Sequence, residues 1–212
     1  MSVGVREAVL PADAVLMVID VQRAIDAPYW GRRNNPDAEA RIVFLLALWR
    51  RRGGPVIHVR HDSTFADSAY RPGQPGNDFK PDVAPLPGES VLPKRINSAF
   101  IGTDLEQRLR AAGRTTLVVT GVSTSNSVEA TVRMAGNLGF TVYLVADATF
   151  TFDKRDLSGR VFPAEDVQAL SLANMHGEHA RSSTAPGWRR TRSRAPAQTG
   201  CSAPPLPAKR SR

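Results

Sequence analysis

Four apolar runs set the rhythm of the chain: AVLMVIDV at 14–21, PVIHVR at 55–60, TTLVVTGV at 115–122 and FTVYLVA at 140–146. Their near-continuous hydrophobicity predicts strands buried on both faces, as in a parallel sheet covered by helices. Helical signals fall between them. Asn35 and Pro36 supply an N-cap and a first-turn proline ahead of DAEARIVFLLALWRRR, which Gly53 and Gly54 close. Residues 103–112 read as a capped helix ending at Gly113, residues 127–138 as a helix after the third strand, and residues 164–175 as a last helix. Residues 91–94 are short and extended. Strands alternating with helices predict an α/β domain with a mostly parallel sheet between two helical layers. Residues 62–90 interrupt the alternation with a Pro/Gly-rich excursion, a form that active-site covers take. There is no internal repeat.

Composition bounds the reading. A chain of 212 residues with 42% apolar side chains suits one ordinary domain whose core needs no disulfide. No apolar run approaches the roughly 20 residues that span a bilayer, so no membrane association is expected. Glu7, Asp13 and the lack of a cleavage pattern argue against a secretory signal, and a cytoplasmic protein is expected. The single cysteine, Cys201, excludes an intramolecular disulfide and a cysteine-cluster metal site.

The net charge of +8 suggests nucleic acid until it is located. Eight of the 28 basic side chains lie in residues 181–212, which hold no acid; the other twenty balance the twenty acids of residues 1–180. The expected organisation is therefore a neutral domain over 1–180 and a basic tail over 181–212. With five Pro, five Ser and few large aliphatics, the tail is expected to be disordered. Any nucleic-acid contact would be confined to it.

In an open α/β sheet, ligands bind at the carboxyl ends of the strands. Asp20 ends the first strand, where an aspartate either bonds a loop or does chemistry. The third strand runs into GVSTSNSVEAT, where the free N–H groups of a helix start can hold a carbonyl oxygen or an anion, or where a Ser or Thr simply caps the helix. Lys94 follows the long loop, either solvated or functional. His58, inside an apolar strand, reads as a core histidine; His61, at that strand's end, can line a pocket. Tyr29 and Trp30 offer an apolar pocket wall beside Asp20, or belong to an interface or the core.

Taken together, VIDVQ, LPKRINSAFIGTDLEQRL and TGVSTSNSVEATVRMAGNLGF resemble the three signature segments of the isochorismatase-like hydrolases. That superfamily includes cysteine hydrolases, nicotinamidases, carbamoylsarcosine amidases and isochorismatases. HVRHDS and ATFTFDKRDLSGRVFPAEDVQALSLANMHGE extend the resemblance over roughly 14–180. It implies a Rossmann-like sheet of about six strands, assembly into homodimers or homotetramers, and hydrolysis of an amide C–N or vinyl-ether bond in a small-molecule substrate. Asp20 matches the family's catalytic aspartate and Lys94 its catalytic lysine. Ser127 stands where the amidases have their nucleophilic cysteine. A thiol ionises near pH 8.5 and is readily pulled lower, whereas a serine hydroxyl needs a strong positioned base, which Asp20 is not.

Isochorismatases also lack that cysteine and use an aspartate as proton donor. By that analogy Asp20 is an acid or base tuned by Lys94, and Ser127 orients substrate or water. Val122, Ser123 and Thr124 would flank an oxyanion site, with a non-proline cis bond expected at Val122–Ser123. Tyr29, Trp30 and His61 complete the expected substrate-binding set. The zinc-binding Asp-x-His of nicotinamidases has no match here, so neither metal nor cofactor is expected. Family members usually end in a further apolar strand; the sequence after HGE instead reads as an out-of-frame stretch of a GC-rich gene or a basic arm. The alternative to a hydrolase is a catalytically silent binding or scaffold member, for which Ser127 is the argument.

Overall fold

The computed structural model of the chain describes Pro11 and residues 13–185. Five strands appear first along the chain: β1 (Val15–Ile19), β2 (Val56–His61), β3 (Ser90–Lys94), β4 (Thr116–Val122) and β5 (Thr141–Phe150). A two-residue hairpin, β6 (Lys154–Arg155) and β7 (Val161–Phe162), stands apart, and β8 (Arg181–Ser183) closes the sheet. The helices are α1 (Ala38–Arg51), α2 (Leu105–Ala111), α3 (Glu129–Asn137) and α4 (Ala164–Met175). Six strands lie in the order β3-β2-β1-β4-β5-β8, every neighbouring pair parallel. This is the expected three-layer α/β fold.

β1 shows why the sheet is central. All five of its residues are buried, but alternate side chains enter different cores. Leu16 and Val18 pack with Ile42, Leu45, Leu46 and Trp49 of α1. Met17 pairs instead with the face that holds Leu105, Leu109 and Val132 of α2 and α3. Each such aliphatic, fully buried, contributes roughly 1.5–3 kcal/mol, so a strand apolar on both faces anchors two layers at once.

The order also positions a cleft. From β1 the chain builds outward to β2 and β3, then crosses back to β4 on the other side of β1. Connections thus diverge at the carboxyl ends of β1 and β4, the switch point where α/β sheets bind ligands. Gly121, at φ 116°, lets β4 lie close to β1 there: a Cβ would strike the Ile19 carbonyl oxygen. The β4–β5 register shifts between Val119 and Gly121 at the same level.

Several expectations are corrected. Asn35 does not cap α1; it adopts φ 43° and its amide donates to Ala146 O and Thr149 O, tying α1's approach to β5. Asp37 precedes the helix instead. β5 continues to Phe150, four residues past its expected end. The helix after β4 opens as a wide π-type turn, Thr124–Val128. The tail does not begin at 181: Arg181–Ser183 pairs with Tyr143–Val145 and Ala185 is buried. The rest of the tail, with Cys201, lies outside the described residues. Among the described residues no helix is long and apolar enough to cross a membrane.

Candidate active site

Asp20 leaves β1 in the left-handed region, φ 54°, which few non-glycine residues occupy. Its N–H donates to Val59 O at 2.9 Å and its carbonyl accepts from Gln22 N at 2.9 Å, so the turn is held from both sides. Lys94 ends β3, two strands away, and reaches across. Its Nζ donates to Asp20 Oδ2 at 2.7 Å, Ile96 O at 3.1 Å and Ser127 Oγ at 3.3 Å. His61 Nδ1 lies 3.5 Å from the same Nζ. The Lys94 side chain is 0% exposed and that of Asp20 6%, so this is a buried ion pair made tolerable by further hydrogen bonds. One atom is left over. Asp20 Oδ1 is buried without a hydrogen-bond partner among the described residues.

Ser127 comes from the turn after β4. The Val122–Ser123 peptide is cis, as the family resemblance implied, and Asn126 N and Val128 N both donate to Ser123 O, at 3.0 and 3.2 Å. The hydroxyls of Ser123 and Ser125 meet Thr151 Oγ1 at 2.8 and 2.9 Å, which fastens the turn to the end of β5. Thr124, the first residue of the turn, is fully buried and does not contribute to the cavity wall.

A cavity of about 580 Å³ opens above these groups. Asp20, Val122, Ser123 and Ser127 contribute to its wall, with Tyr29, Trp30, Tyr70 and His61 around them. Lys94 stays behind Asp20 and Ser127. Trp30 is anchored by its indole N–H to Ala24 O at 3.0 Å and stacks on Phe152 at 5.3 Å, so it serves both core and cavity. Tyr29 and Phe65 are 66% and 79% exposed at the mouth, although large aromatics usually bury more. No arginine or lysine is among the lining residues. Burial, and then the Lys94 charge, hold the His61 imidazole below the usual histidine range; burial pushes the Tyr70 phenol well above its own.

Sequence reasoning missed the residues that brace this wall. Gln22, fully buried, donates to His61 O at 3.0 Å and to Asn77 O at 2.8 Å, and accepts from His61 N at 2.7 Å. Asn77 donates to His61 O at 3.0 Å and Tyr70 O at 2.8 Å, so the Pro/Gly-rich excursion is pinned to β2. The available signal was Gln22 itself, an amide at the end of an apolar run. His58 sits elsewhere, buried against Glu89.

With this geometry in view, the comparisons with known proteins become informative. The family model of the isochorismatase domain matches residues 14–179. A crystal structure of an isochorismatase-family protein from Chromobacterium violaceum ATCC 12472 superposes with a TM-score of 0.84 at 56% identity, covering 86% of this chain and 95% of that one. The isochorismatase family protein YrdC of Bacillus subtilis (strain 168) is 42% identical over 165 residues, 78% of this chain and 88% of its own length. Streptothricin hydrolase of Streptomyces noursei is 37% identical over 165 residues, 74% of this chain and 58% of that protein. The chain belongs to the isochorismatase family, whose members are hydrolases.

Proposed function

We propose that the protein hydrolyses an amide C–N bond of a small molecule, with water attacking and the Asp20–Lys94 pair moving the proton. The observation that carries this reading is Asp20 itself: one carboxylate oxygen is bound by Lys94, and the other has no partner among the described residues, in a residue that lines the cavity. Lys94 Nζ occupies Oδ2 and leaves Oδ1 facing the cavity side. Oδ1 takes a proton from water as its oxygen bonds to the amide carbon, and the protonated Asp20 returns that proton to the nitrogen as the C–N bond breaks, giving a carboxylic acid and an amine. Ser127 accepts a hydrogen bond from Lys94 and keeps its own proton, so it can orient the water or the substrate. The turn that carries Ser123 and Ser127 leads into α3, and free N–H groups at a helix start can hold a developing oxyanion. The step uses no metal and no cofactor.

A cavity of about 580 Å³ suits a small molecule, since ligand pockets run about 300–1,000 Å³. The amide is favoured over an isochorismate-like vinyl ether because such a substrate carries carboxylates, and among the described residues no arginine or lysine is part of the cavity wall, the Lys94 ammonium behind it being engaged by Asp20. Similarity to a protein of Methylobacterium radiotolerans named as a ureidoacrylate amidohydrolase agrees with the amide reading. Assembly into homodimers or homotetramers in the cytoplasm belongs to the same proposal.

Ser127 favours a second reading, a binding protein that has lost turnover. Incubating the purified protein with a panel of small amides and ureides, and measuring released amine, separates the two. Turnover that Asp20→Asn abolishes supports the hydrolase; binding without release by either form supports the silent reading.

A further inference from the structure

His61 is a polar side chain of the cavity wall whose proton can be located from its neighbours. Its Nδ1 faces Lys94 Nζ at 3.5 Å, and an ammonium offers only protons. The imidazole therefore presents its lone pair on that side, and the neutral ring carries its hydrogen on Nε2. Nε2 has no hydrogen-bond partner among the described residues, and His61 lines the cavity. The ring is held as well as polarised. Tyr70 meets it edge-on at 5.6 Å, while Gln22 clamps both its N–H and its carbonyl. The charged or titratable groups facing it are Lys94 from β3, Asp20 from the end of β1, Asp62 beside it in the chain and Tyr70 from the long loop.

We infer that His61 determines specificity: its Nε2–H donates to an acceptor atom of the substrate, a carbonyl oxygen or ring nitrogen, and so holds the substrate over Asp20 and Ser127. The inference rests on the cavity being the substrate site, as proposed above, but not on turnover. An ammonium-facing Nδ1 fixes the tautomer permanently, so the cavity offers a ready donor before anything binds, with no ring flip required. Protonation of His61 would set an Nδ1–H against the Lys94 ammonium. Burial and that same charge keep the ring neutral at neutral pH.

Two measurements on the full chain test it. Long-range proton–nitrogen correlation spectra of the nitrogen-15-labelled protein distinguish protonated from bare ring nitrogens, and the His61→Gln spectrum identifies the signals of His61. Nε2 should be protonated and Nδ1 bare at pH 7; the opposite tautomer overturns the inference. Benzamide should then move the Nε2–H signal, whereas ethylbenzene, similar in shape but lacking an acceptor, should not. No shift at His61 on adding benzamide overturns it, whether or not the Trp30 indole signal moves.

Variants sharpen the result, because a glutamine amide nitrogen reaches the place of Nε2 and an asparagine amide nitrogen that of Nδ1. His61→Gln should keep benzamide affinity within about threefold and His61→Asn should weaken it about tenfold, the range expected of one hydrogen bond. Equal losses would show that the ring merely packs. Absence of amide turnover, by contrast, would overturn the hydrolytic mechanism and leave this assignment standing.

Discussion

The molecule contains two clusters built from the same parts, a carboxylate, a cation and a histidine, at different places on the sheet. Beside β3's start, Glu89 accepts Arg50 Nε and Nη2 at 2.8 Å each and Leu86 N at 2.8 Å, and meets His58 Nε2 at 2.9 Å. At β3's other end, Asp20 meets Lys94 through one oxygen and nothing through the other. The Glu89 carboxylate is saturated; Arg50 first, then the Leu86 N–H and His58, hold it down to about 2. What remains unpaired there is a ring nitrogen, His58 Nδ1, in a residue that does not line the cavity. A carboxylate with both oxygens engaged fastens α1 to the loop before β3. One that is more deeply buried but half engaged is held ready for a ligand. An unpaired buried polar atom marks the site where it belongs to a cavity-lining residue, as Asp20 Oδ1 does and His58 Nδ1 does not.

Exchanging each carboxylate for its amide should separate the two roles most sharply. Asp20→Asn should lower amide hydrolysis by at least about 10³-fold, the upper part of the range for an acid–base group. It should leave the fold intact, because Asn is isosteric and readily adopts positive φ. Glu89→Gln should do the reverse. Losing charge-assisted bonds to Arg50 removes about 2 kcal/mol, or roughly 4–8 °C of melting temperature, with activity within twofold. Activity measured beside thermal unfolding checks both. The comparison fails if Asp20→Asn keeps more than a few per cent of activity, or if Glu89→Gln loses most of it.

The next effect is smaller and concerns Ser127. Its Oγ lies 3.3 Å from Lys94 Nζ, near the end of the turn that leads into α3. Ser127→Cys would place a thiol where ammonium and helix dipole both favour the thiolate, and a few per cent ionisation at neutral pH should rise well above that. In a Cys201→Ser background, alkylation by iodoacetamide at pH 7 should be about tenfold faster than for a free cysteine. A rate that follows an ordinary titration near pH 8.5 would show that the Lys94 side of the cavity is not electrostatically poised.

The contrast also explains what was legible in the sequence. Elements defined by buried apolar runs or complete helical patterns, β1, β2, β4, the first part of β5 and α4, were readable, because their burial is written in their own side chains. β8 was not. Arg181–Ser183 is polar and sits at the sheet edge, so neighbouring backbone rather than hydrophobicity makes it a strand. The wide turn at Thr124–Val128 escaped because helical periodicity does not distinguish its first turn. Asp20 and Lys94 are 74 positions apart, and only family resemblance joined them before the sheet order placed them side by side. Gln22 and Asn77 brace His61 through long-range backbone bonds that leave no local pattern.

The smallest expected effect is a pH dependence with two windows, one histidine in each cluster contributing to the upper one. Burial holds His58 below the usual histidine range despite Glu89, and burial with Lys94 does the same for His61. A histidine with its folded pKa depressed binds fewer protons when folded, so its contribution is full above the unfolded value near 6.5 and is lost as pH falls. Glu89, lowered to about 2, contributes fully above the unfolded carboxylate value near 4.3 and loses that contribution only as pH falls towards 2. No single group can slope stability by more than about 1.4 kcal/mol per pH unit. Chemical denaturation from pH 8 to 3 should therefore show a decline beginning near 6.5 and a second below about 4.3. Glu89→Gln should reduce the second without abolishing it, because Glu39, held down to about 2 against its burial by Arg33 and Lys80, declines in the same window. His58→Gln and His61→Gln should each flatten the first, but only His61→Gln should also change how benzamide affinity varies with pH. If His58→Gln alters that affinity profile as much, the two clusters are coupled through β2, and the division into fastener and site does not hold.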